Sequence, residues 1–584
     1  CHLVFPLEQS ILWPMCAATS TYSPADFADA AWEEILPLYR ELFDRELTAE
    51  NVEEWLSDWS ELEEALTEAA ALSMIAYTID TADAAKEAAQ LRFSGDILPR
   101  MDEQGVALAN RLIGLDYSRP DLETMLARFR TDSQIFRAAS LPLFSELEEH
   151  STRYQRITGS MTVSWDGEEL TLPQLQPRLK STDRAERERA YRLTCNAYSL
   201  RRDELADVFD SLFGLRIRIA ENAGFPDFEK YAFQAKHRFD YTPDDCARFH
   251  AAVERVAVPA VERLLERRRT RLGVSTLRPW DIGADPDRRE PLRPFTEVGQ
   301  LIGKSRRVFD HVAPTLGGEF QTMIDEGLLD LGTRKGKAPG GYCETLQHRG
   351  RPFIFMNAVG VADDVSTLLH EAGHAFHAFA SHAQPLIWQR HPGLEMCELA
   401  SMSMELLAAP YLGSEQGGFF TPEDLARARV EHLEDVLLSL AHIASVDAFQ
   451  SWIYTSGEGG DREARDQAWL RIRSRFERGI DWSGLDEERT ARWYRQLHIF
   501  LYPFYYIEYG IAQLGALQVW RNSLTDQGES VRRYRSALAL GATRPLPALY
   551  AAAGAKFTFD VDDIGELVAL VESQIVAWDR LRGA

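Results

Sequence analysis

The chain has 584 residues, of which 45% are hydrophobic and 26% charged, an ordinary globular composition that excludes disordered, collagenous and disulfide-stapled classes. Its 64 basic and 90 acidic residues leave a net charge of −26. Such a surface repels phosphate backbones and anionic lipid heads, so neither nucleic acid nor a membrane is an expected partner. The six cysteines show no Cys-x-x-Cys spacing, which argues against a thiolate zinc site and favours a reducing, cytoplasmic setting.

The N-terminal part of the chain divides into a short unassigned segment and a helical region. Residues 1–22 contain an apolar stretch with Glu8 but no Lys or Arg, so they lack the basic start of a signal peptide. From residue 23 to residue 120, apolar residues recur every three or four positions, for example in 31–47 and 52–79. This periodicity predicts an N-terminal region made only of helices.

Residues 121–584 are predicted to form one intertwined, mainly helical body with two short interruptions. The sequence MTVSWDGEEL alternates around an Asp-Gly turn within 161–172 and predicts a small hairpin. Between 274 and 357 Pro and Gly become frequent, and the runs YCETL and PFIFMN predict two strands around the turn QHRGR. One small sheet is therefore expected next to the helix that begins after Asp363.

Residues 497–520 are the only stretch that suggests a membrane span by length and apolar content. The stretch also carries Glu508, His498, Pro503 and four tyrosines. Such a polar load is costly in hydrocarbon but normal for a buried segment that lines a wet cavity. We therefore expect this segment to be buried in the protein.

The clearest chemical motif lies in DDVSTLLHEAGHAFHAFASHA, which contains His370, Glu371 and His374 in the order H-E-x-x-H. On a helix, residues four apart point the same way, so both imidazoles can share one metal ion. Zinc binds neutral imidazole nitrogens and, in catalytic sites, leaves one position for water. Glu371 can then act on that water as a general base. The alternative is a pair of structural histidines beside a solvated glutamate.

A third metal ligand is needed, and His377 is a poor candidate although it faces the same way as His370. Three histidines on two turns of one straight helix cannot easily surround a single ion, so we expect His377 to support the site or to pack. The metzincin pattern requires Gly at position 377 and His at position 380, where this chain has His377 and Ala380. That class of zinc peptidase is excluded by its own motif.

A carboxylate from the next helix is the remaining choice, and LEMCELASMSMELL offers Glu395, Glu398 and Glu405. Glu398 and Glu405 are seven residues apart and share one helix face. We favour Glu398 as the third ligand and Glu405 as the acid that orients an imidazole from behind. Either residue could instead be a solvated helix acid. Asp364 is a weaker candidate for an orienting acid and is more typical of a helix N-terminus.

HEAGHAFH, followed 24 positions after the second histidine by the Glu of ELAS, resembles the thimet oligopeptidase and oligoendopeptidase F family of zinc metallopeptidases. The resemblance covers about residues 120–584 and is strongest to the oligoendopeptidase F branch. Further similar segments are 222–246, 278–286, 330–345, 353–371 and 498–510. The resemblance implies a large helical ellipsoid split by a deep channel, with one Zn²⁺ per chain on its floor. Such a channel would admit short unfolded peptides and exclude folded proteins.

Attack on a peptide carbonyl develops an oxyanion, which needs hydrogen-bond donors besides the metal. The densest group of donors in the chain consists of His498, Tyr502, Tyr505, Tyr506 and Tyr509. In similar enzymes a His and tyrosines from this segment stabilise the oxyanion. We expect catalytic roles for His498, Tyr505 and Tyr509. We expect substrate contacts from Tyr502 and Tyr506, and channel lining is the alternative for every tyrosine.

Gly340 and Gly341 precede the predicted strand that begins at Tyr342. Glycines let another backbone approach closely, so an exposed strand here could hold an extended substrate by strand addition. The alternative is a tight turn before a structural strand.

The favoured function is a zinc endopeptidase that acts on short peptides. A non-catalytic peptide-binding scaffold is less consistent with the sequence, because an inactive descendant would be expected to lose the base and Glu371 is intact. A carboxypeptidase of the same helical zinc class would need a cation to bind the terminal carboxylate. The sequence does not show whether Arg351, Lys337 or Arg390 lies near the metal motif. It also leaves the oligomeric state open.

Overall fold

The computed structural model describes residues 21–581, and most of them are helical. The fold is therefore mainly α, as predicted. Of the unassigned N-terminal segment 1–22, residues 1–20 lie outside the described part of the chain. Cys195, Cys246, Cys343 and Cys397 are free thiols.

The N-terminal helices pack around their own aromatic core. Trp55 and Trp59 lie in this core with Phe129, and Trp388 from the later part of the chain stacks against it. The predicted helices 31–47 and 52–79 occur with nearly the expected ends. The helices are α1 Pro24–Phe27, α2 Trp32–Asp44, α3 Val52–Ile79, α4 Ala84–Arg92, α5 Leu98–Gly114, α6 Glu123–Ile135 and α7 Leu141–Gly159.

The predicted hairpin consists of β1 Thr162–Trp165 and β2 Glu168–Thr171, which pair antiparallel. Its turn has positive φ angles at Asp166 (53°) and Gly167 (91°), as the right-handed twist of a two-residue hairpin requires. The helices that follow are α8 Leu172–Leu179, α9 Arg184–Leu200, α10 Arg202–Asn222, α11 Phe228–Ala235, α12 Pro243–Ala252, α13 Val258–Leu272, α14 Val298–Val312 and α15 Pro314–Asp325.

The second sheet has three strands in the order β3-β5-β4. The two predicted strands are β4 Tyr342–Leu346 and β5 Arg351–Ala358, which pair antiparallel. The sequence did not predict β3 Leu329–Gly332, a four-residue strand parallel to β5. Because β5 is central, β4 lies at the edge of the sheet with one side unpaired by any described strand.

The sheet packs against the first helix of the C-terminal half, as expected. The remaining helices are α16 Ala362–Ser381, α17 Leu394–Ala408, α18 Pro422–Thr455, α19 Arg462–Phe476, α20 Asp486–Ala491, α21 Leu497–Leu501, α22 Tyr506–Ser523, α23 Gln527–Ala539, α24 Leu546–Ala553 and α25 Val561–Leu581. Helix α17 lies between α16 and α22 and touches both.

Gly373 allows α16 and α17 to pack with their backbones in contact. A Cβ atom at this position would lie 2.5 Å from the Ser401 Cα and 2.7 Å from the Ala400 carbonyl oxygen. Any side chain would therefore push the two helices apart. This close approach places the H-E-x-x-H segment of α16 beside the acidic face of α17.

Two apolar helices are buried in the interior of the C-terminal half. The predicted buried segment 497–520 forms α21 and most of α22, and most residues of α22 are buried. Among residues 21–581, α18 is the one helix that is long and apolar enough to cross a membrane. Within its apolar stretch of 18 residues, 67% is buried inside the protein. The sequence had not singled out α18 in this way.

Candidate active site

Asp364 lies in the first turn of the motif helix α16. Its Oδ2 atom accepts hydrogen bonds from the backbone N–H groups of Val359, Gly360 and Val361, at 2.9, 2.8 and 2.9 Å. These bonds satisfy donors that the start of a helix leaves free. Asp364 thus serves the helix N-terminus, and no bond joins its side chain to His370 in the described structure. Its alternative assignment as an orienting acid is therefore not supported.

The structure brings His370, His374 and Glu398 together. Glu398 Oε2 lies 3.2 Å from His370 Nε2 and 3.7 Å from His374 Nε2. One ligand atom from each residue lies within 4.8 Å of the other two. Four ligands around zinc at about 2.1 Å are separated from each other by roughly 3.4 Å. Two imidazoles and a carboxylate at these distances fit a zinc ion.

The electrostatics of the three side chains also favour a cation. Burial lowers the pKa of His374 to about 4, so this imidazole is neutral near pH 7, the form that binds metals. Burial opposes a charge on His370 as well, but the carboxylates of Glu398 and Glu405 outweigh it and raise its pKa well above the usual value. A positive charge is therefore stabilised at the point that the three residues share.

Glu398 is held as a carboxylate. Burial would raise its pKa, but the neighbouring His374 and His370 and a hydrogen bond from Tyr505 lower the pKa to about 2. Ser401 Oγ donates a further bond of 3.0 Å to Glu398 Oε2. An ionised carboxylate is the form that binds a metal ion.

Glu371 lies beside this group and is only 8% exposed. Burial raises its pKa to about 7, His370 opposes this rise, and the carboxylates of Glu398 and Glu405 add to it. A carboxyl group whose pKa is near the working pH can accept a proton and release it again.

Glu405 lies behind His370, where the sequence had placed it. The Nδ1 atom of His370 donates to Glu405 Oε1 at 2.8 Å. The other oxygen, Oε2, accepts a bond of 3.0 Å from Nε2 of His432, which lies on α18. The sequence analysis missed His432, because nothing in its neighbourhood along the chain marks it as part of the site.

His377 does not join the three candidate ligands. Its side chain is buried, and its Nε2 atom has no hydrogen-bond partner among the described residues. Burial lowers its pKa to about 3. The structure thus gives His377 the environment of a packed residue.

The aromatic cluster lies next to the candidate metal site. Tyr505 donates a hydrogen bond of 2.9 Å to Glu398 Oε1. The ring centroid of His498 is 5.3 Å from that of Tyr505 and 6.0 Å from that of Tyr509. Burial lowers the pKa of His498 to about 4, so the ring is neutral near pH 7. Three of the predicted donors therefore lie close together near Glu398, a candidate ligand.

The other two tyrosines differ from each other in exposure. Tyr506 packs its ring 4.9 Å from that of His498 and donates a 3.1 Å bond to Gln496 Oε1. Tyr502 is 53% exposed, and its ring lies 6.0 Å from that of His498. These positions leave Tyr502 accessible to a substrate and fix Tyr506 against the protein.

The turn between these tyrosines is held in a strained conformation. Phe504 has a φ of 63°, which is uncommon for a large side chain. Its N–H group donates to Gln450 Oε1 at 3.1 Å, and its carbonyl accepts a bond from the buried Arg238. Arg238 also donates to Glu508 Oε1 at 2.6 Å. These buried bonds fix the backbone immediately before Tyr505.

Lys236 approaches the same tyrosine from α11. Its Nζ atom lies 5.3 Å from the ring centroid of Tyr505 and 3.4 Å from Glu508 Oε1. The sequence analysis assigned no role to Lys236 or Arg238, although both fall in the segment 222–246 that carries the family resemblance. Their contribution depends on contacts with the distant segment around Glu508.

Gly340, Gly341 and Tyr342 lie at the start of the edge strand β4. Gly340 has a φ of 99°, and a Cβ atom on Gly341 would lie 3.4 Å from the carbonyl oxygen of Phe355. The ring of Tyr342 stacks on that of Phe355 at 4.8 Å, and its hydroxyl is 2.6 Å from Thr78 Oγ1. The glycines thus precede a structural strand whose outer side pairs with no described strand.

The three cations considered for a carboxypeptidase site are all engaged. The buried Lys337 bonds to Asp330 and to backbone carbonyls. Arg351 pairs with Glu326 at 3.0 Å, and Arg390 pairs with Glu64 at 2.9 Å. None of the three is a spare cation for a terminal carboxylate.

Comparison with known families gives two matches that together span most of the chain. The profile of peptidase family M3 matches residues 178–566. The profile of the peptidase M3 N-terminal domain matches residues 22–124. The first match alone covers more than half of the chain and includes every residue of the candidate site.

Individual relatives agree with this assignment. Chromosomal oligoendopeptidase F of Lactococcus lactis subsp. cremoris is 26% identical over 149 residues, 25% of this chain and 24% of the relative. Oligopeptidase PepF of Bacillus subtilis (strain 168) is 24% identical over 237 residues, 39% of this chain and 34% of the relative. The matched segments thus span about a quarter to a third of these curated relatives.

The structural match is much more extensive. A solved structure of PZ peptidase A with inhibitor 2 superimposes with a TM-score of 0.87 at 29% sequence identity. The superposition covers 94% of this chain and 98% of the other. The likeness therefore extends over nearly the whole chain.

Proposed function

Because the chain belongs to peptidase family M3, we propose that it is a zinc-dependent oligoendopeptidase that cleaves internal bonds of short, unfolded peptides. The observation that carries the proposal is the convergence of His370, His374 and Glu398 beside the buried carboxyl group of Glu371. The donor set fits zinc, and Glu371 fits a general base.

The residues of the candidate site have three different roles in the proposed reaction. A zinc ion held by His370, His374 and Glu398 would polarise the scissile carbonyl and acidify a water molecule. Glu371 accepts the proton of the attacking water and passes it to the leaving amine. Tyr505 and its neighbours donate hydrogen bonds to the oxygen on which negative charge develops.

The same proposal includes how the substrate is held. The outer side of β4 offers backbone N–H and C=O groups to an extended peptide, so main-chain bonds supply affinity with little dependence on sequence. Access through a deep channel, as the family resemblance implies, restricts substrates to chains without a stable fold. Peptides of about five to twenty residues are then the expected substrates, because an extended residue spans about 3.3 Å.

A carboxypeptidase of the same class is the second candidate. It is less favoured because Lys337, Arg351 and Arg390 are already paired within the protein. A non-catalytic peptide-binding scaffold is also less favoured, because the environment of Glu371 is that of a working base.

A series of internally quenched peptides with free or blocked termini separates these functions. The proposal expects internal cleavage whether or not the C-terminus is blocked, and survival of a stably folded protein that contains the same sequence. Removal of single residues from free C-termini alone would support the carboxypeptidase. Binding without cleavage by the zinc-loaded chain would support the scaffold.

The proposal places the protein in a reducing, cytoplasmic compartment. The four described cysteines, which are free thiols, support this placement. Fractionation of the producing cells tests this placement, and recovery of the protein only outside the cytoplasm would contradict it.

A further inference from the structure

Glu405 is shared by two imidazoles that come from different helices. His370 of α16 donates from Nδ1 to Oε1 at 2.8 Å, and His432 of α18 donates from Nε2 to Oε2 at 3.0 Å. The two hydrogen bonds therefore connect α16, α17 and α18 through one carboxylate.

The second donor restricts what the carboxylate can do. A carboxylate only accepts hydrogen bonds, so a donor on each oxygen fixes the rotation of the Glu405 side chain. With Oε2 held by His432, Oε1 stays aimed at His370 Nδ1. A proton on Nδ1 leaves the lone pair of a neutral His370 on Nε2, the atom that faces His374 and Glu398. Loss of His432 would also leave Oε2 without this donor in a partly buried site.

We propose that His432 is a positioning residue of the metal centre, which acts through Glu405 to hold His370 in the tautomer and orientation that bind the metal. The inference rests on the metal site of the proposed function, but not on peptide hydrolysis. His432 bonds to Glu405 and has no hydrogen bond to the candidate ligands among the described residues, so its effect is on metal affinity and geometry. The hydrogen-bonded partners behind zinc ligands commonly change metal affinity 10- to 100-fold when they are removed.

The test measures zinc affinity of the full chain after the metal has been stripped and titrated back against a competing chelator. His432→Leu removes the donor and puts an apolar side chain of similar bulk in its place. We therefore expect zinc to bind about 10- to 100-fold more weakly. His432→Gln keeps an N–H group at a similar reach from the backbone. We expect zinc affinity in this variant to stay much closer to that of the wild type.

Two further measurements separate positioning from folding. The visible absorption spectrum of the cobalt-loaded chain reports ligand geometry, and it should change in His432→Leu but not in His432→Gln. His250→Leu is the matched control, because His250 also donates from Nε2 to a buried carboxylate, that of Asp447, at 2.8 Å. This control should lower thermal stability and leave zinc affinity unchanged.

A double-variant cycle tests whether His432 acts through Glu405. Glu405→Ala should weaken zinc binding, and adding His432→Leu to Glu405→Ala should weaken it no further. Zinc affinity of His432→Leu equal to that of the wild type would overturn the inference. An undiminished effect of His432→Leu in the Glu405→Ala background would also overturn it. Zinc-loaded wild type that cleaves no peptide would instead contradict the proposed function alone.

Discussion

At the scale of single residues, two glutamates at the candidate metal site have opposite shifts in proton affinity. Burial and neighbouring carboxylates raise the pKa of Glu371 to about 7, whereas imidazoles and Tyr505 outweigh burial and lower the pKa of Glu398 to about 2. A pair of carboxyl groups separated in this way can divide the roles of base and ligand. The environment, not the residue type, makes the distinction.

Replacement of the base tests this division directly. Glu371→Gln should keep the metal and the fold but lose about 10²- to 10⁴-fold in turnover, because the amide cannot accept the proton of the attacking water. Turnover is measured on a quenched peptide, with zinc content and circular dichroism as controls. Near-normal turnover in this variant would remove Glu371 from the mechanism.

The hydroxyl group of Tyr505 should matter more in the transition state than in substrate binding. Tyr505→Phe should lower kcat by about 10²-fold and change KM little, the pattern of a lost oxyanion donor. Tyr117→Phe is a matched control, since Tyr117 also donates to a carboxylate, Glu53 Oε1, at 3.0 Å. The control should leave both constants unchanged. A rise in KM alone for Tyr505→Phe would assign this residue to the channel wall.

At this scale, sequence patterns predict only part of the site. The group of His370, His374 and Glu398 could be predicted because a local helical spacing and one neighbouring acidic helix define it. His432 and Arg238 could not, because their roles depend on packing between helices far apart in the chain. The structure places the Asp364 side chain at the helix N-terminus, the position of which such an acid is more typical.

At the scale of elements, the close crossing of α16 and α17 builds the site. Gly373→Ala should destabilise the fold by about 1–3 kcal/mol, because the added methyl group meets the backbone of Ser401 and Ala400. It should also weaken zinc binding, since separation of the helices moves Glu398 away from the imidazoles. Urea unfolding and chelator competition measure the two effects.

A glycine in open space provides the control for this variant. Gly214 lies within α10 with nothing within 4 Å of a built Cβ atom. Gly214→Ala should stabilise the protein by up to about 1 kcal/mol and leave zinc affinity unchanged. Tolerance of Gly373→Ala with full zinc affinity would show that the crossing is not needed for the site.

The N-terminal helices contain a partly buried acid with a stability cost at high pH. Glu63 on α3 accepts bonds of 2.9 Å from Tyr39 on α2 and from Trp59. Burial raises its pKa to about 7, the two donors oppose this rise, and Asp102 adds to it. The folded state therefore retains a proton that the unfolded state releases near its usual pKa of 4.5.

The sign of the pH dependence follows from this difference. As pH rises from about 4.5 to about 7, this group lowers the free energy of unfolding by about 1.4 kcal/mol per pH unit. Glu63→Gln keeps an oxygen for both donors, so the variant should gain stability relative to the wild type between pH 5 and pH 8. Urea unfolding of both proteins at pH 5 and at pH 8 measures this gain. An equal change in the free energy of unfolding with pH in both proteins would contradict the role of Glu63.

The elements themselves were predicted with uneven success. The periodicity of α3 and the turn chemistry of the β1-β2 hairpin are local, and both elements occur where the sequence placed them. Strand β3 was missed because its four residues, LDLG, alternate over too short a run to predict a strand and are stabilised by pairing with β5. Tertiary pairing, not local propensity, determines such a strand.

At the scale of the whole molecule, the proposed peptide cleavage depends on a single metal site. The net charge of −26 does not form this site, because the relevant acids are buried and paired with imidazoles. Mainly helical architecture was predictable from periodicity, and the three-helix arrangement around Glu405 was not. The packing of α16, α17 and α18 turns an H-E-x-x-H motif into a candidate catalytic centre.

Titration of zinc into the metal-stripped chain, with cleavage of a terminally blocked quenched peptide as the readout, tests that claim most directly. We expect no cleavage without metal, a linear rise with added zinc and a plateau at one zinc per chain. His374→Ala, which lacks one ligand, should show no such rise. Full activity in the metal-stripped chain, or an unchanged titration in His374→Ala, would contradict the account.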